Sequence, residues 1–222
     1  MSPELINILL RALTETVQMV AISAAIGMIF GIPLGVFLAT SGSGELFAAP
    51  ALNKALGVIV NVVRSTPFII LVVAIIPFTR LVVGTSIGTA AAIVPLSVAA
   101  VPFIARIVET AVREVDQGLV EAALAMGATP FQIVRKVLLA EAMPGILLGL
   151  TLSIVSLVAN SAMVGAVGGG GLGDLGIRYG YQRFMPEVMA AVVLILVVLV
   201  QGLQSLGEYL ARRANKRVRV TI

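Results

Sequence analysis

The 222-residue sequence contains no cysteine and no histidine. Without thiols there is no disulfide framework and no thiolate chemistry, and without imidazole there is no histidine-ligated metal. Charge is the next scarcity: charged residues make up 12% of the chain, about half of the roughly 25% usual in soluble domains. Hydrophobic residues reach 59% and mean hydropathy is +1.09. Over this length that balance describes a polytopic membrane protein. No stretch outside the apolar runs is long enough to bury a core of its own, so one transmembrane domain covering residues 1–222 is expected. The net charge of +4 does not signal nucleic acid, because the basic residues gather at the edges of apolar runs, where they set orientation in the lipid bilayer. Residues 1–15 carry Glu4, Arg11 and Glu15. They lack the basic leader of a signal peptide, and the first apolar run is too long for its core, so that run is expected to be retained as a span.

The apolar runs predict an all-α architecture of five transmembrane helices, each of about 20 residues, over residues 17–40, 56–78, 86–105, 143–167 and 188–207. In the first, Ser23, Gly27, Gly31 and Gly35 recur every fourth residue and form a small-residue face for close helix packing; Pro33 is expected to kink it. The second contains Arg64, followed by Ser65, Thr66 and Pro67. Only fifteen uncharged residues, 65–79, separate Arg64 from Arg80, too few for a span, which puts Arg64 within the helix. A charge at membrane depth is a functional candidate; the alternative is an arginine snorkelling to the headgroups. Pro95 and Pro102 interrupt the third span, and Gly84-Thr85 offers a turn and cap before it.

The fourth span carries Gly149, Ser153, Ser156, Asn160 and Met163 on one helical stripe. Polar groups in hydrocarbon want a partner helix or a water-filled path. The stripe is therefore helix–helix glue or the lining of a translocation pathway, and the bulk of Asn160 and Met163 favours the pathway. The glycine-rich run that follows, GAVGGGGLGDLG, lacks the pattern of a phosphate-binding loop and reads as a flexible turn on the outer face.

Five spans put the termini on opposite sides. With the C-terminus in the cytoplasm, ten basic residues fall inside (Lys54, Arg106, Arg113, Arg135, Lys136 and five in the tail, including Lys216, Arg217 and Arg219) and four outside (Arg11, Arg80, Arg178 and Arg183). The positive-inside rule thus places the N-terminus outside and the loop of residues 106–141 in the cytoplasm.

That loop holds the one long amphipathic stretch, EAALAMGATPFQIVRKVLLAEAMP, residues 121–144. Gly127 suits a left-handed C-cap. Thr129, Pro130 and Gln132 form a capping-box restart, and Phe131, Val134 and Leu138 are expected to share one face. Taken alone, the stretch is compatible with an ordinary amphipathic helix packed on the bundle. It also resembles the cytoplasmic motif of ABC importer permeases (E-A-A, three residues, G, nine residues, I-x-L-P), supplied here by Glu121, Ala122, Ala123, Gly127, Val137 and Leu139. Ala140 stands where the motif has proline, and Pro144 follows. With NVVRSTPF (residues 61–68) and NSAMVGAVGGGGLGDLGIRYGYQRF (residues 160–184), the chain resembles the permease subunits of bacterial methionine ABC importers over nearly its whole length.

The resemblance implies a type I ABC importer permease fold and a homodimer in the bacterial inner membrane. It implies two cytoplasmic ABC ATPase subunits, and an extracytoplasmic methionine-binding protein or lipoprotein. It also implies uptake of methionine, as L- and D-isomers or close analogues, by alternating access. It further implies that no cofactor binds this chain, that the chain is not itself an enzyme, and that Mg-ATP is used by the partner. The implied roles are ATPase docking for Glu121, Ala122, Ala123 and Gly127, the pathway for Arg64, Ser156, Asn160 and Met163, and binding-protein contact for Gly168, Gly169, Gly170, Gly171, Gly173, Tyr179 and Tyr181. A permease for another amino acid is the nearest alternative. A secondary transporter or channel usually carries intramembrane carboxylates or a filter motif, and no carboxylate falls inside a span here. Gly171-Leu172-Gly173-Asp174 has the form of an intramembrane aspartyl protease motif, but the only other aspartate, Asp116, lies on the opposite side. A serine hydrolase would lack its histidine.

Overall fold

The computed structural model describes residues 3–215, which are helical with no strand. Lys216, Arg217 and Arg219 of the basic tail lie outside the described residues. Among the described residues four helices are long and apolar enough to cross a membrane, and there are five such segments, as expected, when the bent pair Pro50–Ser65 and Phe68–Ala74 is counted as one span. Several of these helices run past the expected bounds.

The first helix, α1 (Pro3–Thr40), is one piece of 38 residues, about 57 Å long at 1.5 Å per residue. It absorbs Glu4, Arg11 and Glu15, and Pro33 sits inside it without ending it. Ser23, Gly27, Gly31 and Gly35 are all buried, as their spacing predicts, and α1 packs along α5 (Thr89–Arg113). The packing is backbone to backbone: a Cβ on Gly35 would lie 2.4 Å from the Ala105 carbonyl oxygen, and one on Gly31 would lie 2.8 Å from that of Val101. Toward the N-terminal end of α5 the Ser23 hydroxyl donates to the Ile93 carbonyl at 3.3 Å.

The second span is not one helix. It divides into α2 (Pro50–Ser65), α3 (Phe68–Ala74) and α4 (Ile76–Val83), with α2 and α3 meeting at 105°. Pro67 has no N–H to continue α2, and its ring pushes the preceding residue out of the helical region; Thr66 accordingly sits at φ −82°, ψ 124°. Arg64 therefore ends a helix at a corner instead of sitting mid-span. Gly84, at φ +80°, closes α4, while Gly88, not Thr85, precedes α5. Pro95 and Pro102 lie inside α5 without breaking it, and α5 also takes in Arg106, Glu109 and Arg113, which shortens the expected loop.

After α5 come α6 (Gln117–Ala125) and α7 (Pro130–Ile133). A π-helical turn, Val134–Leu138, carries α7 directly into α8 (Leu139–Val164), and the chain passes through Pro144 without a break. The expected shared face of Phe131, Val134 and Leu138 is not formed. Val134 and Leu138 are buried with Ile133, whereas Phe131 is 68% exposed. A π turn changes the residues per turn and so moves the face.

The glycine-rich run is also not a flexible turn. It folds as a kinked turn (Gly165–Gly169) in which Val167 and Gly168 leave helical backbone, a short α9 (Gly171–Leu175) and a π-helical segment (Gly176–Gln182) that leads to α10 (Pro186–Ala214). Its glycines serve close approach: a Cβ on Gly173 would lie 2.4 Å from the backbone of Ala162. Three apolar clusters stack along the bundle. One surrounds Ile104, Ile133 and Ile146, one Met19, Leu96 and Leu157, and one Leu9, Leu172 and Val188.

Candidate functional site: a mid-bundle cavity between two structured ends

The corner at Ser65–Pro67 opens a cavity of about 320 Å³ against α5 and α8. Irregular backbone at membrane depth is tolerated where it lines such a space. Arg64, Ser156 and Asn160 all line it, together with Phe68 and Phe103. The Arg64 guanidinium lies 6.0 Å from the centre of the Phe103 ring. Three of the four expected pathway residues thus come together although Arg64 is more than ninety positions from Ser156. Met163 does not join them; it is 48% exposed one turn beyond Asn160. Phe68 and Phe103 escaped the sequence reading. The signal for Phe68 was Ser-Thr-Pro before an apolar run, a helix end as much as a kink.

At the start of α8 the chain forms an elbow. The Asp116 carboxylate caps α6 by accepting from the Gly118 N–H at 2.7 Å. Gly127 turns the chain at φ +79°. Thr129 and Gln132 then make the expected capping box, with the Thr129 N–H donating to Gln132 Oε1 at 3.0 Å and the Gln132 N–H to Thr129 Oγ1 at 3.4 Å. Glu121, Ala122 and Gly127 are exposed and Ala123 is buried. Leu124, Met126 and Phe131 are also exposed, with Met126 at 82%, so the elbow presents an apolar surface bordered by the Glu121 carboxylate.

Between elbow and cavity, a buried Glu109 takes Arg106 at 2.7 Å and Arg113 at 3.2 Å. Arg113 also donates to the Leu38 carbonyl at 3.1 Å, and Arg106 donates to Asn61 Oδ1. This network ties α1, α2 and α5 together and was not expected, because both arginines were assigned to a loop.

The opposite end is clasped. The Gly171 N–H donates to Glu15 Oε2 at 2.9 Å, and the Leu172 N–H donates to Thr16 Oγ1 at 2.8 Å. Arg11 pairs with Glu15 and Arg178 with Asp174; the hydrogen bond to Asp174 raises the Arg178 guanidinium further above its ordinary range. Gly169 and Gly171 are buried, whereas Gly168, Gly170 and Gly173 are half-buried. Tyr179 packs into the Leu172 cluster under Arg183, 4.4 Å from the ring centre, and Tyr181 is 67% exposed. A Glu15→Ala change leaves the Gly171 N–H and Arg11 without their acceptor. It is expected to cost about 1–3 kcal/mol, read as a lower midpoint of thermal unfolding in detergent; an unchanged midpoint would show that the clasp carries no stability.

A model of the family described as binding-protein-dependent transport system inner membrane component matches residues 31–219. The chain is 56% identical over 211 residues to a probable D-methionine transport system permease protein MetI of Vibrio cholerae serotype O1, covering 95% of this chain and 94% of that one. It is 46% identical over 217 residues to the probable D-methionine transport system permease protein MetI of Pasteurella multocida, at 98% and 100% coverage. Among solved structures, a chain from the inward-facing conformations of the MetNI methionine ABC transporter aligns with a TM-score of 0.93 and 49% identity, covering 97% of this chain and all of that one. The chain belongs to the family of binding-protein-dependent transport system inner membrane components.

Proposed function

We propose that this chain is the permease subunit of an ATP-driven methionine importer, working as a homodimer with two ATPase subunits and an extracytoplasmic binding protein. The observation that carries the reading is the elbow. An exposed apolar surface, shaped by a left-handed Gly127 and a capping box, sits at the end of a spanning helix where a soluble partner can reach it. Glu121, Ala122, Ala123 and Gly127 form the docking surface, and its small residues allow close approach. The positive-inside distribution supports placing this end in the cytoplasm and the N-terminus outside. The opposite end, with Gly168 to Gly173, Tyr179 and the exposed Tyr181, meets the binding protein.

Methionine is supported by the names of the relatives. The chain uses no ATP itself. Partner ATPases closing on Mg-ATP shift the two permease halves between inward- and outward-facing states, and the shift is limited to the difference in affinity of the partners for those states. Arg64, Ser156, Asn160 and Met163 lie along the path. Purification of the tagged chain from its native membrane, with the intact mass measured, tests the reading. Two permease and two ATPase copies, and ATP-dependent methionine uptake once binding protein is added in vesicles, are expected. A chain that emerges without ATPase, or a complex that imports no methionine, would overturn it.

A further inference from the structure

We infer that the cavity at the Ser65–Pro67 corner binds the transported amino acid, with Arg64 holding its α-carboxylate. The inference deepens the reading of the chain as an amino-acid permease and rests on it. The arginines that line the other cavities are already engaged: Arg113 with Glu109, Arg11 with Glu15 and Arg178 with Asp174. Arg64 has no carboxylate partner among the described residues; its recorded contact is the Phe103 ring. Ser156 and Asn160 likewise make no side-chain hydrogen bond there. Both sit near the centre of the uncharged run from residue 143 to 173, where a hydroxyl and an amide without partners are costly, and the same cavity brings the Arg64 guanidinium to them.

A zwitterionic ligand answers these groups together. The guanidinium fork matches a carboxylate with two parallel hydrogen bonds. Asn160 Oδ1 and Ser156 Oγ are acceptors for an ammonium group. Phe68, Leu71 and Phe103 supply an apolar wall suited to an unbranched, polarisable side chain. The volume of about 320 Å³ lies at the small end of ligand pockets, about 300–1,000 Å³, which suits a single amino acid and not a peptide.

The test uses the permease–ATPase complex in lipid nanodiscs and a diazirine analogue of methionine that keeps both the carboxylate and the amine. After illumination the label is mapped by peptide mass. Label is expected on peptides holding Phe68, Phe103 or Asn160. Excess methionine or norleucine should suppress it, whereas methioninol, which has the amine but no carboxylate, should not. Arg64→Ala is expected to lower labelling by about tenfold or more, with Arg64→Lys between it and the wild type. Label confined to other peptides, methioninol competing as well as methionine, or Arg64→Ala labelling like the wild type would each overturn the site. The competitor arm uses the unaltered chain, so it decides the matter even if the alanine variant does not assemble. A wild-type complex that imports methionine while the site fails leaves the permease reading intact; one that imports none sinks that reading instead.

Discussion

A permease carrying Gly35→Leu is expected not to accumulate in the membrane. The first atom of any side chain at this position falls 2.4 Å from the Ala105 carbonyl oxygen and 2.7 Å from Val108 Cβ. The first obstacle is backbone, so no rotamer change relieves it; α1 must move away from α5. The seam extends through Gly31 and Gly27, where the corresponding distances begin at 2.8 Å, and separation at Gly35 loosens all three contacts. Overpacking a core commonly costs about 1–3 kcal/mol, and a backbone clash on the longest seam of the bundle belongs at or above the top of that range. Gly202→Leu is the control, because nothing lies within 4 Å of a Cβ there. Membrane yield and the unfolding midpoint of the two variants should diverge sharply. Equal yields would mean that the α1–α5 seam is not what holds the bundle.

The second large effect is expected at the elbow. Gly127 sits at φ +79° with open space around a Cβ, so substitution there tests backbone strain without a clash. Left-handed backbone costs an ordinary residue about 1–2 kcal/mol, and a β-branched residue more than asparagine. Gly127→Val is therefore expected to straighten the turn between α6 and α7 and to lower both ATPase co-purification and ATP-driven uptake about tenfold or more, with Gly127→Asn much milder. The permease itself should still insert, because the residue packs against nothing, and its unfolding midpoint should fall by no more than this local strain accounts for. Full uptake by the valine variant would remove the elbow from the docking surface.

Much of this was legible in the sequence, for reasons particular to each element. The Ser23–Gly35 stripe was readable because small residues at a period of four have one efficient use between helices. The elbow was readable because Gly127 and the Thr129–Gln132 box are local devices that do not depend on the rest of the fold. The π turn at Val134–Leu138 was invisible, since periodicity arguments assume 3.6 residues per turn; that is why the face of Phe131 was misplaced. Pro67 was visible, but proline is tolerated inside membrane helices, so the sequence could not distinguish a kink from a 105° corner. The glycine-rich run was misread because a missing side chain permits both flexibility and close approach; only the partners, Ala162 and the Glu15 carboxylate, decide between them. Arg64, Ser156 and Asn160 were each singled out, but their meeting in one cavity depended on that corner.

The run of helix through the first π turn has a mechanical meaning. From Pro130 to Val164 the chain is helical without a break, through one π turn. Phe131 at one end and Asn160 beside the cavity are 29 positions apart on it, about 43 Å at 1.5 Å per residue. Beyond Asn160 the helix kinks at Val167 and Gly168 and then leads into α9, which is latched to α1 through Glu15 and Thr16. Between the elbow and the cavity there is no loop in which a push would dissipate. It acts on a lever whose far end is pinned, so a small displacement at Phe131 must appear as rotation of the wall that carries Ser156 and Asn160.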